Sequence, residues 1–131
     1  MPSVATHSQS VAARPELWRI SGRSTFLALR RDGRRARSGP ITLTWLPPEV
    51  GAPTTPPRVG FAIGRAVGGA VLRNRIRRRL RAGFRDLLRA GALPPGAYLV
   101  GASSAVATLP WPVLAAALAE AVQTATAGSS R

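Results

Sequence analysis

Apolar residues change their spacing along the chain in an order that lays out the fold. Between Ile41 and Leu46 the sequence alternates Ile, Thr, Leu, Thr, Trp, Leu, the two-residue period of a strand with one covered face. After a Pro-rich loop from Pro47 to Pro57, Val59, Phe61 and Ile63 alternate with Gly60, Ala62 and Gly64. That pattern predicts a second strand with one bulky face and one nearly bare face, where a ligand or a helix has room. From about Ala70 to Arg89 the period lengthens. At about 100° per residue, Leu72, Ile76, Leu80, Phe84 and Leu87 share one stripe, while Asn74, Arg77, Arg78, Arg81, Arg85 and Arg89 lie opposite. One face of this helix packs and the other is cationic. Arg73 and Arg79 flank the stripe, with stems expected along apolar surface and heads reaching outward.

Gly91 and Pro94-Pro95-Gly96 end that helix, and the apolar run Ala97 to Ala102 reads as a buried strand. A last helix starts around Pro110 to Pro112, with Thr108 as its candidate cap, and runs through Trp111, Leu114, Leu118 and Val122. Nearer the amino end, Ser21 or Ser24 is placed to cap a short helix carrying Phe26, Leu27 and Leu29 and stopping near Gly33. Residues 1–15 and 127–131 read as loose tails around one domain, residues 16–126. The order helix, strands, long helix, strand, helix predicts an α+β sandwich whose basic helix connects two strands of one sheet.

Charge sharpens this picture. The net charge is +14, every basic residue is arginine, and the placement is uneven: seven arginines from Arg19 to Arg37, ten from Arg58 to Arg89, and beyond Arg89 only Glu120 and Arg131 are charged. Guanidinium groups grip phosphate bidentately and stack on bases, so a surface this one-sided predicts a nucleic-acid partner. A codon bias toward arginine explains the missing lysine but not the net charge. A solvated helix face mixes both signs, whereas Asp86 is the only acid among the ten arginines of the second block. A membrane-surface helix is the weaker alternative, because the apolar stripe is needed to cover a sheet.

Protein-borne catalysis has little to work with. Cysteine is absent, the single histidine, His7, lies in the amino-terminal tail, and Glu16, Asp32, Glu49, Asp86 and Glu120 are scattered. No pair spacing points to a metal site or to acid–base work. No apolar run approaches the roughly 20 residues of a membrane span, and residues 1–15 lack the pattern of a secretory signal, which predicts a cytoplasmic protein with no membrane partner. Phe26 and Trp45 are candidates for base stacking, although core packing suits any single aromatic; Trp18 and Trp111 are assigned to packing.

The segment Arg58-Val-Gly-Phe-Ala-Ile-Gly-Arg-Ala-Val-Gly-Gly-Ala-Val-Leu-Arg-Asn-Arg-Ile-Arg-Arg resembles the signature of the bacterial ribonuclease P protein subunit, in which an Arg-Val-Gly strand leads through a basic turn into an Arg-Asn-Arg helix. A weaker likeness extends from Leu17 to Val122. The resemblance implies a two-layer α/β sandwich like the second domain of ribosomal protein S5, with a mixed sheet of about four strands and a left-handed βαβ crossover. It also implies an accessory role in an endonuclease. The catalyst would be a partner RNA using Mg2+, one protein per RNA, and the substrate a precursor tRNA whose 5′ leader is removed. Carried onto this chain, Arg65, Arg73, Asn74, Arg75, Arg77, Arg78 and Arg81 would face RNA, with Arg58 at the head of the signature and Arg85 further along the cationic face. Phe26, with Arg30 and Thr44 at two further positions that are aromatic in the family, would hold the leader. The family's Ser-Lys-Lys is Gly64-Arg65-Ala66 here, its Gly-Asn is Gly68-Gly69, and a basic position after the later strand is Ser103. The competing reading from composition alone is a structural RNA-binding protein or RNA chaperone associated with the ribosome; a stand-alone nuclease is disfavoured by the shortage of acid–base groups.

Overall fold

The alternating segments become the centre of one mixed sheet in the computed structural model, which describes residues 17–20, 22–52 and 55–127. Both expected tails (except Ala127) and Ser21 lie outside these residues. In chain order the elements are β1 (Trp18–Arg19), α1 (Arg23–Asp32), β2 (Arg34–Ser38), β3 (Ile41–Leu46), β4 (Arg58–Phe61), α2 (Ala70–Arg89), β5 (Ala97–Ala102) and α3 (Trp111–Ala127), with short 3-10 turns at Arg65–Val67 and Ser104–Ala107. The sheet order is β1-β4-β5-β3-β2. β1 runs parallel to β4 and β4 parallel to β5, while β3 is antiparallel to both β5 and β2. The basic helix α2 thus joins two adjacent parallel strands, as its position between their sequences required.

The period-two pattern sorts the sheet's two faces. Ile41, Leu43 and Trp45 of β3 and Tyr98 and Val100 of β5 point into the main core, where Ile76, Leu80 and Phe84 of α2 and Leu114, Leu118 and Val122 of α3 meet them. The Phe84 and Tyr98 rings lie 5.9 Å apart, and Trp45 and Tyr98 6.5 Å apart. On the opposite face Leu29 of α1 packs with Ile20 and Ala97. The bare side of β4 is therefore filled from α1: a Cβ added at Gly60 would stand 3.2 Å from Ile20 Cδ1 and 3.5 Å from Phe26 Cε1. At its other end α1 crosses β3, where a Cβ at Gly33 would collide with Thr44 Cγ2.

Three local expectations are corrected. α1 starts after Gly22 with no side-chain cap, and Ser24 lies within its first turn. Thr108 closes the 3-10 turn before α3 instead of capping that helix. The sheet has five strands, because the two-residue β1 pairs with β4, and Arg34–Ser38, whose residues carry no apolar alternation, pairs with β3 through the Gly39-Pro40 turn. As an edge strand it needs only one partner and buries only Ser38, whose hydroxyl donates to Glu120 Oε1 of α3 at 2.7 Å. Edge position also suits the charge, since arginines on an open edge discourage pairing with other chains.

Tyr98, the chain's single tyrosine, is fully buried and donates its hydroxyl to Pro94 O. Burial disfavours the phenolate and pushes its pKa up. A raised folded-state pKa means that this stabilisation is fully present below the unfolded value, about 10, and is lost as pH rises beyond it. Alkaline titration at 295 nm should show no phenolate in the folded protein near pH 10, with stability declining above that pH. A phenolate forming near pH 10 in a still-folded chain would contradict the burial.

Candidate nucleic-acid interface

The arginines of α2 fall into three groups according to what flanks the helix. Arg77, Arg81 and Arg85, spaced four apart, stand over the β1–β4 edge of the sheet and line a cleft of about 690 Å³. Its floor is apolar: Val59, Gly60 and Phe61 of β4, with Leu17, Ile20 and Phe26. Trp18 and Arg19 of β1 complete the wall. The Arg81 guanidinium lies 5.2 Å from the centroid of the Phe61 ring. Arg77 donates to Asn74 Oδ1 at 3.0 Å and, more weakly, to Ile63 O at 3.4 Å, so its head is fixed at the cleft's mouth.

The second group faces solvent. Asn74, Arg75 and Arg78 are exposed, together with Val71 and Ala82, on a stripe running the length of the helix. The third group turns back onto the protein. Arg73 donates from Nε to Gly68 O at 3.1 Å, and Arg79 donates from both Nη groups to Val106 O and Leu109 O at 2.6 Å. The expectation that the head reaches outward is therefore corrected for Arg79, whereas Arg73 is held through Nε alone. The acceptors are backbone carbonyls just before the helix and on one flank of it, and a guanidinium that satisfies a carbonyl offsets part of that group's desolvation.

Few acids offset this surface. Among the described residues the ion pairs are Arg31–Asp32 at 3.2 Å and Arg89–Asp86 at 3.1 Å, both exposed and so of little energetic weight. The field of the helix is left largely uncompensated. The cleft lining contains no carboxylate, histidine or hydroxyl side chain. Its chemistry is that of a receptor: flat apolar and aromatic surface below, a guanidinium rim above, suited to an unpaired base with its phosphate.

The remaining candidates are dispersed. Arg65 is exposed on the 3-10 turn before α2, and Arg58 is half-buried at the start of β4. Phe26 lines the cleft and is 37% exposed, whereas Arg30 sits one helical turn further along α1, outside the lining. Thr44 lies at the far edge, in a recess of about 390 Å³ shared with Arg35, Arg37 and Thr42. The structure does not bring Phe26, Arg30 and Thr44 into one cleft; α1 spans the distance between the two. Trp45 is buried, with its indole N–H donating to Pro95 O at 3.1 Å, and belongs to the core. Trp18, assigned to packing from sequence, is 45% exposed in the cleft wall. Its only sequence signal is its place beside Arg19, because the cleft is assembled by the pairing of β1 with a strand about forty residues downstream.

A short single-stranded RNA titrated into the protein should quench tryptophan fluorescence through Trp18. The quenching should be lost in Trp18→Phe, since Trp45 is buried and the exposed Trp111 lies against Arg79, outside the cleft lining. Unchanged quenching in that variant would place the base-stacking surface elsewhere.

With this geometry in place, the chain is similar to one group of proteins. A family model described as Ribonuclease P matches residues 15–126. The ribonuclease P protein component of Thermobifida fusca is 39% identical over 113 residues, covering 82% of this chain and 76% of its own. That of Streptomyces avermitilis is 41% identical over 88 residues, covering 63% and 69%. Among solved structures, the Staphylococcus aureus RNase P protein superposes with a TM-score of 0.68 at 18% identity over 84% of this chain and 96% of its own. The RNase P protein from Thermotoga maritima gives 0.67 at 20% identity over 81% and 96%. At those identities the structural matches speak for a shared fold.

Proposed function

The chain belongs to the ribonuclease P protein family, and from that premise we propose that it is the protein subunit of a ribonuclease P ribonucleoprotein, binding the catalytic RNA and the 5′ leader of precursor tRNA. The observation that carries this reading is the division of α2 into an outward arginine stripe and an arginine-rimmed aromatic cleft. Two surfaces of one helix can hold two RNA segments at once. The outer stripe, Asn74, Arg75 and Arg78, takes the catalytic RNA, with Arg65 and Arg73 at the helix start and Arg58 nearby on β4. The cleft, with Arg77, Arg81 and Arg85 over Phe26, takes an unpaired leader nucleotide.

A leader running along α1 from cleft to recess would meet Phe26, then Arg30, then Thr44. Stacking on an aromatic platform contributes about 1 to 3 kcal/mol per base and is weakly sensitive to salt, whereas each phosphate contact releases counterions. With arginine and threonine at two of the three positions, leader binding in this protein is the more electrostatic. Cleavage chemistry lies with the RNA, one protein per RNA, and Mg2+ is held mainly there. The protein's described carboxylates form no group of three that fits a metal: Asp32 and Asp86 meet arginines and Glu120 accepts from Ser38. Among the described residues no helix is long and apolar enough to cross a membrane. The reading places the particle in the cytoplasm, with its tRNA precursors.

Reconstitution tests the proposal. RNA-free protein with magnesium should leave precursor tRNA uncut, and adding a ribonuclease P RNA should give cleavage at the mature 5′ end at lower salt than the RNA alone needs. Cleavage by rigorously RNA-free protein would overturn the accessory role. Failure to help the RNA, together with equal affinity for unrelated structured RNAs, would point to a general RNA-binding protein. In the reconstituted particle, Phe26→Ala and Arg30→Ala should each shrink the affinity gained from a leader of several nucleotides, with Arg30→Ala also reducing that gain's salt sensitivity. If neither variant changed the gain, the leader would run elsewhere.

A further inference from the structure

The guanidinium of Arg75 is anchored by one edge. Its Nε donates to Ala107 O at 3.0 Å, and the side chain is otherwise exposed. A guanidinium held through Nε keeps its two Nη groups side by side on the outer edge, the geometry that meets two phosphate oxygens at once. Arg79, one turn along on the same flank, is occupied in the opposite sense. Both of its Nη groups are bonded, to Val106 O and Leu109 O, and its carbon lies 5.9 Å from the centroid of the Trp111 ring. Its Nη groups are thus engaged with the protein, where those of Arg75 are not.

The three acceptor carbonyls, Val106, Ala107 and Leu109, belong to a single short segment, the 3-10 turn between β5 and α3 and its exit. Backbone bonds tie that segment mostly to itself: Val106 N–H donates to Ser103 O, and Thr108 and Leu109 N–H donate to Ala105 O. Arg79 therefore grips the turn at the two carbonyls on either side of the one that aims Arg75. We propose that Arg79 is a positioning residue of the RNA interface, holding residues 103–109 so that Ala107 O presents the outer edge of Arg75 to an RNA phosphate. The inference rests on the reading of α2 as an RNA-binding helix. It separates two arginines that sequence places in one cationic block: Arg75 touches RNA, and Arg79 acts through Arg75.

A double-mutant cycle tests it, with a transcribed ribonuclease P RNA and an unrelated structured RNA of equal length as probes. Affinity is measured for wild type, Arg75→Ala, Arg79→Gln, Arg79→Lys and the Arg75→Ala/Arg79→Gln double variant, at a temperature where circular dichroism shows all five folded. Arg79→Gln and Arg79→Lys should both weaken binding roughly three- to tenfold, the range expected for coupled neighbours. Lysine should not rescue, because it restores the charge without the two-pronged grip. In the Arg75→Ala background, Arg79→Gln should change affinity by less than about twofold, the limit of additive error. Amide exchange at Val106, Thr108 and Leu109 should quicken in the Arg79 variants.

Additive losses in the double variant, or rescue by lysine, would make Arg79 a direct contact and overturn the proposal. Unchanged affinity in folded Arg79 variants would make it purely structural and overturn it equally. If wild type bound both RNAs alike, the ribonuclease P reading would fail instead, while the Arg75–Arg79 coupling would still be read on either RNA.

Discussion

Like charge crowded onto one helix is the constraint around which this molecule is arranged. α2 carries eight arginines and one acid in 20 residues. Two exposed charges about 6 Å apart in water repel by roughly 0.7 kcal/mol, less once salt screens them. Against this, Ile76, Leu80 and Phe84 are fully buried, and side chains of that kind contribute about 1.5 to 3 kcal/mol each. Burial prevails, so the helix stays docked with its charge uncompensated. The field of that face is one that a polyanion would offset.

The rest of the fold serves that arrangement. Two parallel strands joined through α2 leave its two flanks different. One overlooks the β1–β4 edge, where Gly60 keeps β4 low enough for Phe26 and Ile20 to form an apolar floor. The other meets the 3-10 turn before α3, where carbonyls accept from Nε of Arg75 and from both Nη groups of Arg79. α3 itself is nearly uncharged, and its one acid is bound to Ser38 of β2. α3 is thus a neutral neighbour of α2 on one face of the sheet, while α1 brings Arg23, Arg30 and Arg31 to the other face.

How much of this could be read beforehand depended on how local each signal was. The limits of α2 and β5 follow from strong periodicity bounded by glycine and proline, and the structure has them at the same residues. β2 is not legible in the sequence, because Arg34-Arg35-Ala36-Arg37 carries no apolar period and its pairing with β3 is set by the Gly39-Pro40 turn. The arginine face was legible as a face, but its division was not. Arg79 meets carbonyls 27 and 30 residues away, and the cleft that exposes Trp18 exists only once β1 pairs with β4. Contacts of that range leave no trace in spacing along the chain.

The central claim, that the arginine helix α2 meets RNA and the neutral helix α3 does not, can be measured directly because the chain contains no cysteine. Single cysteines in place of Ala82, exposed on α2, and Gln123, exposed on α3, can each carry a tethered iron chelate that cuts nearby RNA. In complexes with ribonuclease P RNA, the probe at position 82 should cut at defined sites and the probe at position 123 should leave the RNA intact. Cutting from position 123 as strong as from position 82 would contradict the account.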